Sequence, residues 1–119
     1  MTLEEHLFNV LGPVISVYPD VAPLDAKLPY CTYTVIPGRA VVFLDNTTPD
    51  LANASIQINC FATSSLEASK KIKLVEKTLM ASKAFTATKV AEPGSIFTDE
   101  PDTPIRGRMQ DFTIWYPTT

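Results

Sequence analysis

The side chains able to do chemistry are few in this chain. Its single histidine is His6, and its two cysteines are Cys31 and Cys60. A histidine acting as a general base needs a serine or cysteine nucleophile placed to use it. No such motif accompanies His6, which reads instead as a solvent-facing residue of an N-terminal helix. The cysteines are too few and too far apart in sequence for the paired spacing of a zinc site. Both fall in strand-like segments, where a free thiol behaves as a small apolar side chain and implies a reducing interior such as cytoplasm. The carboxylates Asp99, Glu100 and Asp102, with Glu92 nearby, offer oxygen ligands for a hard cation. Pro101 and Pro104 break that segment, however, and no glycine-centred calcium loop is present. A solvated acidic loop, usable as an electrostatic contact, is the expectation.

Lys70, Lys71, Lys73, Lys77 and Lys83 gather half of the 10 basic residues in one stretch. A nucleic-acid face would need interleaved aromatics, and Glu67 and Glu76 dilute the patch, so a solvated helix face is favoured. Neither Gly38-Arg39 nor Gly107-Arg108 has the spacing of a phosphate-cradling loop. No cofactor, metal or catalytic set is therefore expected, and the chain reads as a non-enzyme.

The elements that would carry these residues fit one domain spanning all 119 residues. A chain of this length buries about two-thirds of its unfolded surface, enough for a core without disulfides. Hydrophobic residues make up 45% and charged residues 19%, which opposes disorder. The net charge of −3 and pI near 5.0 oppose non-specific nucleic-acid binding. No apolar run approaches a membrane span, and the acidic Met1–Glu5 segment is unlike a secretory leader.

Thr2 and Glu5 have the spacing of a capping box. Leu3, Leu7, Val10 and Leu11 then recur at helical period until Gly12-Pro13, which predicts a helix over 3–11. Residues 14–18 suggest a brief strand, and Pro19, Pro23 and Pro29 mark an extended loop. Alternation predicts strands over 30–36 and 55–62, the latter pointing Ile56, Ile58, Cys60 and Ala62 one way. Ser64 and Glu67 form a second capping box, opening the longest helix, which ends near Ser82. Its apolar face is read as Leu66, Ile72, Val75, Leu79 and Met80. Short strands over 84–90 and 95–98 are joined by a hairpin-like turn at Glu92–Ser95, followed by an acidic loop to Pro104. A closing strand over 108–116 lies inside the sheet, being long and free of proline. Helix, strands, helix, strands without regular alternation predicts an α+β fold, a mainly antiparallel sheet with two principal helices on one face.

Two connections are long for turns. Residues 45–53 read as a polar loop around Pro49, while residues 40–44 continue as a strand. The Arg39–Asn53 segment carries Val41, Phe43 and Asp45, and is read equally as an arm that pairs with another chain or as an ordinary strand. It and residues 92–107 are where partners are expected. Asp99, Glu100 and Asp102 against Arg39, Arg106 or Arg108 would set orientation between copies.

The segments VYPDVAPLDAKLPYCTYTVI, ASIQINCFATSSLEASKKIKLVEKTL and RMQDFTIWY resemble the tail terminator or tail completion family of long-tailed bacteriophages. The likeness runs through Tyr18-Pro19, Leu28-Pro29-Tyr30, the strand 56–62 with Glu67-Ala68, and Asp111–Tyr116, covering nearly the whole chain. It implies a structural virion protein, at the head-proximal end of the tail after assembly in host cytoplasm. Such proteins form a homo-oligomeric ring, often a hexamer, that caps the tail tube and stops its polymerisation. The ring offers a surface to a head-completion or connector protein, and DNA passes through its lumen without specific binding. The alternatives are a neighbouring connector protein, or a small nucleic-acid-binding domain using the Lys70–Lys83 helix.

Overall fold

A computed structural model describes residues 2–37, 51–96 and 105–117. Its elements are α1 (Leu3–Leu11), β1 (Ser16–Pro19), β2 (Tyr30–Pro37), β3 (Leu51–Ala62), α2 (Ser65–Ala81), β4 (Thr86–Lys89), β5 (Gly94–Ile96) and β6 (Arg106–Pro117). Six strands make one mixed sheet in the order β1-β2-β3-β6-β4, with β5 also on β6. Every pairing is antiparallel except β1 with β2. The fold is α+β, and β6 lies inside the sheet as its proline-free length predicts.

Helix α1 begins where the sequence places it because both halves of the capping box form. The Glu5 N–H donates to Thr2 Oγ1 at 3.2 Å, and the Thr2 N–H donates to Glu5 Oε1 at 3.2 Å. At α2 only half of the second box forms. The Glu67 N–H donates to Ser64 Oγ, but the Glu67 carboxylate accepts from Thr63 Oγ1 instead. The buried stripe of α2 is Ala68, Ile72, Val75 and Leu79, at offsets of four, three and four. Leu66 and Met80, expected on that face, are exposed. Leu66 sits one helical stripe away, in line with Lys70, Lys73 and Lys77, which face solvent.

The stripes of α1 and α2 cover one sheet face. Ile56, Ile58 and Cys60 of β3, Phe112 and Ile114 of β6, and Cys31 of β2 are completely buried beneath them. Side chains directly opposite in register share a face, so the pairs Ile56↔Phe112 and Ala54↔Ile114 form the floor of this core. Two expectations are corrected here. Leu51–Asn53 is not loop but the start of β3, because it pairs with Trp115–Pro117 of β6, and long-range pairing outweighs the weak strand tendency of Ala and Asn. The Glu92–Ser95 turn does not join a hairpin. Strands β4 and β5 both pair with β6, at Thr86↔Trp115 through Lys89↔Phe112 and at Gly94↔Met109 through Ile96↔Gly107. They are one edge, interrupted where residues 90–93 bulge out opposite only Gln110 and Asp111.

Candidate interaction surface

Helices cover one face of the sheet. On the other, register places Tyr18 of β1, Tyr30, Thr32 and Thr34 of β2, Gln57, Asn59 and Phe61 of β3, and Met109, Asp111, Thr113 and Trp115 of β6. No lysine or arginine occupies a strand position on this face among the described residues, and Asp111 is its charged strand residue. Aromatic rings run across one end. Tyr18 meets Tyr30 edge-on with centroids 6.0 Å apart, and Tyr30 meets Phe61 at 5.3 Å and 40°. Residues Asp20–Ala22, leaving β1, help enclose a recess of about 240 Å³ over Tyr30, Thr32, Asn59 and Phe61. At the outer edge of the sheet a second groove, about 470 Å³, runs between α1 and β1 and is lined by Phe8, Pro13, Ile15, Val17 and Tyr18.

Of the candidate contact residues, Arg39, Val41, Phe43, Asp45, Asp99, Glu100 and Asp102 lie outside the described residues. Arg106 and Arg108 lie on β6, on the helix-covered face. Arg106 is exposed and donates to the Ile105 carbonyl at 3.0 Å. Arg108 is engaged within the chain. Its Nε donates to Ser69 Oγ of α2 at 3.0 Å, and its terminal nitrogen donates to Ser95 Oγ of β5. One guanidinium thus ties a helix, a central strand and the interrupted edge together.

His6 is corrected as well. It is not solvent-facing but buried, 9% exposed, with its ring edge-on to Phe85 at 6.3 Å and Nε2 without a hydrogen-bond partner among the described residues. Three residues beyond Leu3 and four before Val10, it lies on the buried stripe, and this spacing was the available signal. Cys31 and Cys60, far apart in sequence, are direct partners across β2 and β3 and fully buried as free thiols. The hydrogen bond to Cys31 and burial both push the Cys60 thiol far up, so neither the thiolate nor its reactivity is favoured. Among the described residues, no group of three His, Cys, Asp or Glu converges to hold a metal ion.

Sequence reasoning missed a charged network joining α2 to the β4 edge. Lys89 binds Glu92 at 2.7 Å and Glu76 at 3.1 Å, and Lys73 binds Glu92 at 3.2 Å and Glu76 at 3.5 Å. The Gln110 amide, 2% exposed, donates to Glu76 Oε2 at 3.4 Å and to the Ala91 carbonyl at 2.9 Å. Burial raises the Glu76 pKa, yet the bonds from Lys89 and Gln110 outweigh it and hold the carboxyl below its ordinary value. The bonds to Glu92 and Glu76 hold Lys89 above its own. Lys73, one of the five lysines read as a solvated or nucleic-acid face, is therefore partly neutralised. The network spans three elements and left no local motif to find.

No protein-family model matches the chain, and no curated protein matches it.

Proposed function

We propose that this chain is a structural virion protein of the tail-terminator kind. Copies close into a homo-oligomeric ring, a hexamer, on the finished tail tube. The ring stops tube polymerisation and presents a joining surface to a head-completion or connector protein. The observation that carries this reading is the one-sided build of the sheet. One face is sealed by α1 and α2, while the other face and both outer edges, β1 and β4–β5, have no partner strand or layer among the described residues. Such surfaces suit a subunit completed by neighbours through heterologous contacts. The resemblance in residues 17–36, 54–79 and 108–116 supplies the assignment to the tail.

The mechanism is steric, and no cofactor takes part in it. One ring face matches the last ring of tube protein and the other matches the connector. DNA passes through the lumen without specific binding, helped by the net charge of −3. The test is to polymerise purified tail tube protein with and without this chain and to measure tube lengths by negative-stain microscopy. Tubes that stop growing and carry a cap at one end are the expected result. Tubes of unchanged length with no added density would overturn the proposal.

A further inference from the structure

We infer that the recess on the open sheet face is a binding site for an arginine side chain presented by a partner protein. The inference rests on the recess alone and does not require the tail reading. Three kinds of group meet there. Tyr30 and Phe61 supply half-buried aromatic surface, Thr32 and Asn59 supply a polar floor, and the exposed, acidic Asp20 lines the rim. The floor is already organised, since the Asn59 amide donates to Thr32 Oγ1 at 3.4 Å. Asp20 is held in place by its backbone. Its N–H donates to the Tyr33 carbonyl at 2.8 Å, and its φ of 58° turns the chain over the recess at the end of β1.

The Asp20 carboxylate has no ion pair or hydrogen bond among the described residues, and no strand position of this face supplies a cation. Negative charge beside aromatic rings attracts a cation through both its charge and the ring quadrupole. A guanidinium suits such a site better than an ammonium, because it stacks on rings and donates to carboxylate and amide oxygens together. The recess of about 240 Å³ has room for one such head group. A protein rather than a free cation is the source, because Val21, 79% exposed, lines the recess beside Tyr30 and Phe61 and extends its apolar rim into solvent. Arginine set against aromatic rings is a recurrent anchor of protein contacts, and a free cation would leave that apolar rim uncovered.

The experiment is an NMR titration of the isotope-labelled full chain with N-acetyl-arginine amide, its neutral isostere N-acetyl-citrulline amide, and spermidine. Saturable shifts at Tyr30, Thr32, Asn59 and Phe61 with a dissociation constant of about 5 mM are expected for the arginine probe alone. Asp20→Asn, an exposed substitution that leaves the spectrum otherwise intact, should weaken binding about fivefold. Phe61→Leu, which keeps the apolar contact with Tyr30 but removes a ring, should weaken it as well. An equal response to citrulline or spermidine, indifference to Asp20→Asn, or no shifts with about 50 mM arginine probe would overturn the inference.

Discussion

Glu76 shows how a single carboxylate can hold two layers together. It is 13% exposed, accepts from Lys89 of β4 and Gln110 of β6, and itself belongs to α2. Its folded pKa is lowered, so its contribution is complete above the unfolded value of about 4.3 and is lost as pH falls through the folded value. Lys89 works with the opposite sign. Its raised pKa gives a contribution present below about 10.4 and lost as pH rises through the folded value. Glu76→Gln should therefore cost about 1 kcal/mol at neutral pH, solvent screening limiting the loss, and should flatten the acid limb of the stability curve. Urea denaturation between pH 3 and pH 7 measures both effects; an unchanged acid limb would remove Glu76 from the account. At the other end of the chain, Thr2→Ala should cost about 1 kcal/mol by removing the cap of α1, read as lost helicity and lower Tm.

Elements were legible where local chemistry and tertiary pairing agree. The capping box and Gly12-Pro13 bound α1 at both ends, and the alternation of residues 55–62 shows the buried row of β3. They were illegible where the two disagree. Glu92-Pro93-Gly94 has the composition of a turn, yet β6 is long enough to pair with the chain on both sides of it, so the turn becomes a bulge within an edge. Close packing of β5 adds a test. A Cβ on Gly107 would lie 2.9 Å from Ile96 Cδ1 and 3.1 Å from Phe61 Cδ1. Gly107→Ala should cost about 1 kcal/mol, because Ile96 Cδ1 can swing aside but Ile96 Cβ, 3.1 Å away, must shift with β5. Hydrogen exchange should then show faster opening at Gly94–Ile96, while uniform destabilisation would argue against a locally strained contact. Phe112→Ala, in the centre of the core, should cost about 3–5 kcal/mol and unfold all elements together.

For the molecule as a whole, the α+β architecture follows from periodicity, because two amphipathic helices and an alternating sheet have one economical way to bury their apolar stripes. The surface is less legible. Arg108 reads as an outward contact from its charge, but Ser69 and Ser95 engage it within the chain, and only folding brings those two serines to one place. The aromatic row Tyr18–Tyr30–Phe61 lies on three strands, and its coherence depends on the β1–β2–β3 register. What results is a domain finished on one side and open on the other among the described residues. The most direct measurement of the proposed tail-terminator role is to delete the gene in the phage that this proposal calls for and image the particles by electron microscopy. Over-long tails of uneven length without attached heads are the predicted result. Tails of normal length beside unjoined full heads would contradict termination and assign the chain to the neck.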